Sequence, residues 1–218
     1  MTECSKQTVV LDVMGADDGP EAIIRGGLAA AKHLGDSMRL IVVGNKGKID
    51  PIMAGIGDIP TNVTVEHAAS EVTMAMTATD GVRVKDSSIA VGLSIVRRQQ
   101  ADAFVSPGHT GAVMASSLLI LGRIQGVLRP AIATAFPTST GRPCVVLDVG
   151  ANADCKPQHL SQFAVMGSVY SQIVFNAQQP RVGLLSIGEE RIKGNELILG
   201  ARRLLSESRI NFVGNIEG

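Results

Sequence analysis

Aromatic side chains are scarce in this chain, and their scarcity narrows the functions that it can carry. The 218 residues include no Trp and one Tyr, and aromatics make up only 3% of the sequence. Proteins that bind nucleic acid usually carry a basic excess, and those that bind single strands stack bases on aromatic rings. Here Lys and Arg number 20, and Asp and Glu also number 20. Composition therefore predicts no nucleic acid among the partners.

Cysteines are also few, and long apolar runs are missing. Cys4, Cys144 and Cys155 are odd in number and lack paired spacing, which argues against a disulfide framework and against a zinc site. The longest apolar run, 112–121, is far shorter than the ~20 residues of a membrane span, and the polar start lacks a signal-peptide core. These absences predict a protein of the reducing cytoplasm. We expect Cys144 in the core, and Cys155 in a packing or substrate-lining role rather than as a nucleophile.

Small apolar residues are abundant instead. Along the chain, short runs rich in β-branched residues, typical of strands, alternate with longer runs that have a helical pattern. Hydrophobic residues make up 45% of the sequence. Nearly continuous apolar strands that alternate with helices are typical of a parallel sheet covered on both faces. The sequence therefore predicts an α/β fold, three-layer α/β/α with a mostly parallel sheet, as a single unit over 1–218. The predicted strands are 8–13, 39–43, 63–66, 103–106, 131–136, 144–149, 182–187 and one from 210; the predicted helices are 21–34, 87–99, 110–121, 157–175 and 195–206.

Four polar loops that contain glycine follow four of the predicted strands: 14–20, 107–111, 150–157 and 188–195. In open α/β sheets, ligands bind at the carboxyl edge of the strands, where these loops emerge. One such loop is explained by a tight turn between a strand and a helix. Because the four loops together carry Asp, His, Asn and Lys, they predict a shared site at that edge.

The segment Ser106–Gly111 is the best candidate for binding an anion. Its glycines let backbone N–H groups approach a ligand, and the predicted helix that follows points its positive end at the same place. Ser106 and Thr110 add hydroxyl groups. The segment matches neither the Walker A pattern nor the dinucleotide fingerprint. His109 fits two interpretations equally well, as a ligand-binding residue or as a turn residue that supports its own backbone.

The third and fourth loops carry further charged and amide groups. Asp148, Asn152 and Asp154 lie around one predicted turn, but no further acidic cluster supports a glycosidase or a hard-cation site. Lys193 is able to hold a phosphate or an oxyanion as a point charge, and it also fits an ordinary solvated loop. Spacing alone thus predicts a cytoplasmic α/β protein with a phosphate-binding edge, and it does not name a reaction.

Several segments resemble the bacterial phosphate acyltransferase family, in order and in register. Leu11–Asp17 resembles the family's opening D-x-M-G-G-D, and Lys85–Ser88 resembles its K-x-S-S segment. Segment 101–112 resembles A-D-A-x-V-S-A-G-N-T-G-A, and segment 147–157 contains D-x-G-A-N-x-D-C. The segments 163–168 and 185–196 also fit. The chain departs from the family at Ala16, Pro107 and His109, where Gly, Ala and Asn are usual.

The resemblance implies a fold like that of isocitrate and isopropylmalate dehydrogenases. It implies transfer of a fatty acyl group from acyl-[acyl carrier protein] to inorganic phosphate, which gives acyl phosphate for phospholipid synthesis. It further implies no organic cofactor, a homodimer, and a cytoplasmic place with peripheral association at the inner membrane face. Family members run on past Gly218, so we expect the chain to be the N-terminal two-thirds of one. A phosphotransacetylase-like acyl-CoA:phosphate transferase and an inactive acyl-carrier-binding fragment stay open as alternatives.

The expected mechanism is direct attack of phosphate on the thioester carbonyl, with the protein positioning the reactants. The candidate catalytic residues are Lys193, Asn152 and His109, with Asn152 or nearby backbone N–H groups at the oxyanion. We expect no metal, and Arg123, Arg129 and Arg142 are candidates for receiving the acidic acyl carrier protein. The predicted substrate- and phosphate-binding residues are Asp12, Gly15, Asp17, Ser106, Gly108, Thr110, Gly111, Asp148, Gly150, Asp154, Gly188, Glu189, Gly194 and Asn195.

Overall fold

The computed structural model describes residues 6–190 and 193–217, which fall into two compact units, Met1–Gly122 and Arg123–Gly218. The first unit contains β1 (Gln7–Asp12), α1 (Pro20–Leu34), β2 (Met38–Gly44), α2 (Lys46–Ile56), β3 (Val63–His67), α3 (Ala78–Arg83), α4 (Ser88–Arg97), β4 (Ala103–Val105) and α5 (Thr110–Ile120). The second contains β5 (Ala133–Phe136), β6 (Cys144–Leu147), α6 (Pro157–Phe175), β7 (Val182–Leu185), α7 (Glu196–Ser206) and β8 (Phe212–Ile216). The single unit over 1–218 stays a prediction.

The first unit is built on a parallel four-stranded sheet with the order β3-β2-β1-β4. Successive side chains of a strand point to opposite faces, and β2 shows this directly. Leu40 and Val42 pack with residues of α1 and α2, whereas Ile41 and Val43 pack with residues of α4. The unit therefore has the predicted three layers, with helices on both faces of a parallel sheet.

Several helices begin where their capping residues place them. The Ser87 hydroxyl accepts a hydrogen bond from the Ala90 N–H at the start of α4, and the Asn195 side chain accepts one from the Ile198 N–H at the start of α7. Each side chain satisfies an N–H group that has no partner within its helix. Pro157 is the first residue of α6, where its missing N–H costs nothing. The predictions for these three helices are confirmed.

Helices α2 and α3 are not predicted from the sequence. Helix α2 lies within residues 44–79, and α3 begins at the end of that segment, for which the sequence predicts only the strand at 63–66. Helix α2 contains Gly47, Pro51 and Gly55, all of which disfavour a helix interior. It forms because Ile49 and Met53, one helical turn apart, are buried in the core under β2. Helix α3 has only six residues and is too short for a periodic pattern to show.

The second unit contains two pairs of strands. β5 and β6 pair antiparallel, whereas β7 and β8 pair parallel, and the described residues show no strand hydrogen bonds between the two pairs. The hairpin is antiparallel because the connection after Phe136 is far too short for a crossover helix. A small core of Leu184, Ala201 and Leu205 packs against residues of α6, such as Leu160.

Cys144 is exposed, so the prediction that it lies in the core is wrong. It is the first residue of β6 and pairs with Phe136, which is also exposed, at the end of the hairpin. The prediction took β6 for a strand of a parallel sheet covered on both faces. All four residues of its neighbour β5 are exposed, and helix α6 packs against β6 at Leu147, so the hairpin is not covered on both faces in the described structure.

Candidate functional site

The strand order of the first unit reverses between β1 and β4. The chain passes from β1 to β2 and β3 on one side, and then returns to place β4 on the other side of β1. In open parallel sheets, such a switch point opens a crevice at the carboxyl ends of the two strands, and ligands bind there. The loop after β1 and the loop after β4 both emerge at this point. The structure therefore brings together two of the four predicted loops.

Asp12 and Ser106 join the ends of these two strands. Asp12 is 1% exposed, and its Oδ1 accepts a 2.9 Å hydrogen bond from the Met14 N–H. Its Oδ2 accepts a 2.7 Å hydrogen bond from the Ser106 hydroxyl, whose oxygen in turn accepts one of 3.1 Å from the Gly108 N–H. The Ser106 proton thus points at Asp12 rather than into the crevice. The hydrogen bonds of Asp12 and Ser106 therefore hold the backbone of the loop after β1 and of the loop after β4.

The environment of Asp12 favours its protonated form. Burial raises the pKa of Asp12, and hydrogen bonds from Ser106, Met14 and Ser88 oppose that effect without cancelling it. Ser88 is itself 1% exposed and begins α4. The sequence prediction missed Ser88 as a site residue. The signal was present, because Ser88 belongs to the Lys85–Ser88 motif that carries the family resemblance.

Gly15 lets the two loops approach each other. Its φ of 76° lies in the left-handed region, and a Cβ on it would lie 3.1 Å from the Val72 carbonyl oxygen and 3.5 Å from the Gly108 Cα. Only glycine combines this backbone conformation with so close an approach. Asp17 and Thr110 are exposed on the same two loops, and Gly111 lies in the first turn of α5.

His109 caps the helix that starts at the candidate anion loop. Its Nδ1 accepts a 3.2 Å hydrogen bond from the Ala112 N–H, and its Nε2 lies 2.9 Å from the Met76 carbonyl oxygen. Because Nδ1 is an acceptor, this hydrogen-bond pattern makes Nε2 the donor to the Met76 carbonyl oxygen. Both ring nitrogens have partners within the protein, as expected for a residue that supports its own turn. The catalytic role of His109 stays a prediction.

Asp148 organises the loop after β6 in the second unit. Its Oδ1 accepts hydrogen bonds from the N–H groups of Ile132 (2.8 Å) and Ala151 (3.1 Å). Its Oδ2 accepts hydrogen bonds from the backbone N–H (2.8 Å) and the side-chain amide (3.0 Å) of Asn152. Partial burial alone would raise the pKa of Asp148, but these bonds together lower it below its ordinary value. The carboxylate is therefore held in its ionised form.

Asn152 uses its donors to hold this loop. Its side-chain amide donates to Asp148 and to the Pro130 carbonyl oxygen, at 3.0 and 2.9 Å. The N–H groups of Ala151 and Asn152 also point at Asp148. The donors that were predicted for an oxyanion are thus engaged in this arrangement, and the oxyanion role stays a prediction. Gly150, with a φ of 132°, allows the turn.

Cys155 is not an activated thiol. Burial and then the negative charge of Asp148 raise the pKa of the Cys155 thiol, although Arg129 opposes them. The neighbouring Asp154 is exposed, and its carbonyl oxygen accepts a 2.9 Å hydrogen bond from Arg129. His159 accepts from the Lys156 N–H, and burial lowers its pKa, so it holds the start of α6 as a neutral ring. These features agree with a lining role for Cys155.

The three arginines proposed as a basic patch do not lie at one loop. Arg129 contacts the loop that contains Asp154, and Arg123 donates to the Leu128 carbonyl oxygen. Arg142 precedes β6, whereas Asp148 and its loop follow the other end of that strand. Arg142 therefore lies at the opposite end of the hairpin.

The loop after β7 carries the fourth set of predicted site residues. Two other residues of this loop, Arg191 and Ile192, lie outside the described residues. Gly188 is buried, whereas Glu189 and Lys193 are exposed. The side-chain stem of Lys193 lies against Gly188, since a Cβ on that glycine would be 3.2 Å from the Lys193 Cγ. Gly194 and the capping residue Asn195 then lead into α7. A shared site over all four loops, two in each unit, stays a prediction.

The described residues contain no group of three or more His, Cys, Asp or Glu side chains arranged to hold a metal ion. No helix in the described parts of the chain is long and apolar enough to cross a membrane.

Comparisons with known protein families and sequences place this chain among proteins of lipid synthesis. A family model described as "Fatty acid synthesis protein" matches residues 7–218. A phosphate acyltransferase of Koribacter versatilis is 46% identical over 97% of this chain, and one of Desulforamulus reducens is 47% identical over 96%. These matches cover 60% and 62% of the two relatives. The chain thus spans about three-fifths of the length of the curated relatives that it matches.

Comparison with solved structures identifies a similar fold. A phosphotransacetylase from Streptococcus pyogenes superposes with a TM-score of 0.72 and 17% identity, over 97% of this chain and 69% of its own. EutD phosphotransacetylase from Staphylococcus aureus gives a TM-score of 0.69 and 17% identity, over 99% of this chain and 70% of its own. The α/β prediction is confirmed. The more specific expectation of a dehydrogenase-like fold is not confirmed by these neighbours.

Proposed function

Because the chain belongs to the family of fatty acid synthesis proteins, we propose that it works as a phosphate acyltransferase. In this proposal it transfers a fatty acyl group from acyl carrier protein to inorganic phosphate, and the acyl phosphate enters phospholipid synthesis. The observation that carries the proposal is the 46–47% identity to phosphate acyltransferases over almost the whole chain. The crevice at the carboxyl ends of β1 and β4 also supports the proposal, because ligands bind at such switch points.

The proposed reaction is one substitution at the acyl carbon. A phosphate oxygen attacks the thioester carbonyl carbon, a C–O bond forms, and the C–S bond breaks. The carrier sulfur leaves as a thiolate with the electron pair of that bond, and it takes up the proton that hydrogen phosphate loses as the acyl phosphate forms. Negative charge develops on the carbonyl oxygen during the attack. The protein therefore has to hold a dianion close to the thioester and stabilise that oxygen, which requires positioning and fixed donors rather than a cofactor.

The loop between Ser106 and Gly111 is the proposed phosphate site. Asp12 and Ser106 fix the path of the loop, and Gly15 gives it room. The N–H groups of Thr110 and Gly111 at the start of α5, together with the Thr110 hydroxyl, are the proposed donors to phosphate, because the Ala112 N–H already donates to His109. Asp12 acts here by orienting Ser106 rather than by touching the anion.

Lys193 is the proposed catalytic cation. It is exposed on a loop that its glycines keep tight, and an ammonium group binds phosphate or an oxyanion as a point charge. The other predicted residues of the third and fourth loops, among them Asp148 and Asn152, are proposed to shape the acyl side of the site. His109 and Asn152 would then act through the loops that they hold.

The protein is further proposed to take acyl carrier protein as its acyl donor, to form a homodimer, and to work in the cytoplasm at the membrane surface. An exposed apolar stripe on α6 supports the proposal that this helix contacts another molecule. Val165, Val169 and Ile173 follow each other at helical spacing and are 45%, 46% and 72% exposed. Such an apolar stripe is typical of a contact surface.

Comparison of two acyl donors tests the proposed function. Acyl-[acyl carrier protein] and the matching acyl-coenzyme A are each incubated with the chain and increasing phosphate, and thiol release is followed. We expect phosphate-dependent release from the carrier thioester at a kcat/KM at least about tenfold that for the coenzyme A thioester. A preference for coenzyme A would favour the phosphotransacetylase-like alternative. Carrier binding without release would favour the inactive carrier-binding fragment.

The variant Lys193→Ala tests the proposed cation in the same assay. Loss of one preorganised charge at a reacting phosphate is expected to lower kcat/KM for phosphate by about a hundredfold. Lys193→Arg, which keeps the charge, is the matched control and should retain more activity than the alanine variant. A rate for Lys193→Ala within about twofold of the unaltered chain would contradict the role of Lys193.

A further inference from the structure

Asn215 is a buried polar residue on β8 whose side chain faces the loop after β7. Asn215 is only 6% exposed. The Nδ2 amide donates to the Glu190 carbonyl oxygen at 3.1 Å and to the Lys193 carbonyl oxygen at 3.3 Å. One side chain thus holds two points of a loop that lies more than twenty residues away in sequence. Neither composition nor a motif in the sequence pointed to this residue.

The same loop is fixed at the residues around Lys193. The Lys193 N–H donates to the Glu190 carbonyl oxygen at 3.1 Å, so that this oxygen receives two donors. Gly194 has a φ of 109°, and a Cβ on it would lie only 2.6 Å from the Ile198 Cβ. The backbone of Lys193 is therefore held from both sides, while its side chain stays exposed.

Packing alone does not explain an asparagine at position 215. Its Oδ1 is buried and has no hydrogen-bond partner among the residues that the structure describes. A buried oxygen without a partner lowers stability, so an apolar side chain would serve better if filling space were the only need. The two donor contacts are the feature that an apolar side chain cannot supply.

We propose that Asn215 is a positioning residue for Lys193, and that it sets where the ammonium group meets an anionic substrate. This inference rests on the proposed role of Lys193. A lysine stem has many rotamers, so an anchored backbone and the contact with Gly188 decide which volume the ammonium group samples. A small displacement of a charge that orients a reacting phosphate is costly for the rate.

Limited trypsin digestion tests the first half of the proposal without any need for activity. Asn215→Ala should speed cleavage of the Lys193–Gly194 bond by about fivefold, because it removes two hydrogen bonds that hold the loop closed. Asn211→Ala is the matched control, since Asn211 is exposed and its side-chain amide donates to the Gln179 carbonyl oxygen at 3.3 Å rather than to the loop after β7. Equal cleavage at Lys193 in Asn215→Ala and the unaltered chain would overturn the proposal.

Cleavage after Arg209, an exposed residue of the same unit, separates a loosened loop from a general loss of folding. If cleavage after Arg209 rises together with cleavage after Lys193, the unit has unfolded. In that case the variant Asn215→Ser is used instead, because its hydroxyl keeps a small donor in place of the amide. Cleavage of Asn215→Ser at Lys193 should lie between that of the unaltered chain and that of Asn215→Ala, with cleavage after Arg209 unchanged. Absence of that intermediate rate would also overturn the proposal.

Inorganic phosphate added to the same digestion tests the second half. Phosphate should protect the Lys193–Gly194 bond in the unaltered chain, and Asn215→Ala should raise the half-protecting phosphate concentration by about five- to tenfold. If phosphate protects both chains at the same concentration, Asn215 does not position Lys193 for an anion. If phosphate protects neither chain while Asn215→Ala is still cleaved faster, Lys193 has no phosphate role. That result contradicts the proposed function and, with it, the positioning role.

Discussion

The Ser106 hydroxyl donates a 2.7 Å hydrogen bond to Oδ2 of Asp12, although the two residues are 94 positions apart in the chain. Asp12 ends β1, and Ser106 follows β4, so this bond closes the switch point of the sheet. The loop that carries Gly108 depends on it, because Ser106 also accepts from the Gly108 N–H.

Removal of the Ser106 hydroxyl should weaken both the fold and the proposed phosphate site. Ser106→Ala leaves the buried Asp12 without one partner and the Gly108 N–H without its acceptor, which is expected to cost about 1–3 kcal/mol of unfolding free energy. The KM for phosphate should rise more than kcat falls, because the loop binds phosphate in the ground state. Urea unfolding and steady-state kinetics measure the two effects. Ser106→Thr keeps the hydroxyl and should behave like the unaltered chain; a fully active Ser106→Ala would refute the role of the bond.

The pH dependence of stability should reveal the buried Asp12. Its pKa is raised above the ordinary value of 3.8, so the folded protein keeps this proton to a higher pH than the unfolded chain. The stability contribution of Asp12 is therefore largest below pH 3.8 and is lost as the pH rises through the raised pKa. The unfolding free energy of the chain minus that of Asp12→Asn should fall across this window and then level off. A difference that grows with pH would show that the folded state favours the ionised form.

Asp148 should show the opposite behaviour. Its pKa is lowered by hydrogen bonds that outweigh its partial burial, so its contribution is present above the ordinary value of 3.8 and is lost as the pH falls through the lowered pKa. Asp148→Asn should lower the unfolding free energy by about 2 kcal/mol at neutral pH, since charged acceptors make the stronger hydrogen bonds. The deficit should shrink in acid. A deficit that is the same at pH 3 and pH 7 would contradict this account.

The sequence predicts the framework well where the pattern is local. The apolar runs of β1 and β2, and the helices predicted to begin near Ser87, at Pro157 and at Asn195, follow from local patterns, and the structure confirms these elements. Helix α2 is missed because its glycines and Pro51 disfavour a helix, and it is the burial of Ile49 and Met53 in tertiary contacts that stabilises it.

The candidate site is predicted less completely, for the same physical reason. The loops after β1 and β4 are foreseeable, because parallel strands bring their carboxyl ends to one edge. The hydrogen bonds of Asp12 with Ser106 and Ser88 depend on the order of the strands, which the sequence does not contain in any local pattern. Asn215 depends likewise on the pairing of β8 with β7. The exposure of Cys144 follows from an antiparallel hairpin that a parallel-sheet interpretation overlooks.

Recognition of an acidic carrier should involve Arg129 rather than Arg142. Arg129 contacts the loop that carries Asp154, whereas Arg142 lies at the other end of the hairpin. Arg129→Glu should raise the KM for acyl-[acyl carrier protein] by about tenfold and make it less sensitive to salt, because one attractive charge is replaced by a repulsive one. Arg142→Glu is the matched charge reversal and should leave that KM within about twofold. The same KM for both variants would reject carrier docking at Arg129.

Formation of acyl phosphate by this chain tests the central claim most directly. The purified chain is incubated with acyl-[acyl carrier protein] and inorganic phosphate, and hydroxylamine traps any acyl phosphate as the hydroxamate. The account predicts hydroxamate that depends on phosphate and on protein, and that falls by about a hundredfold in Lys193→Ala. Hydroxamate formed equally with and without phosphate, or none at all while the carrier thioester stays intact, would contradict the proposal that this chain transfers acyl groups to phosphate.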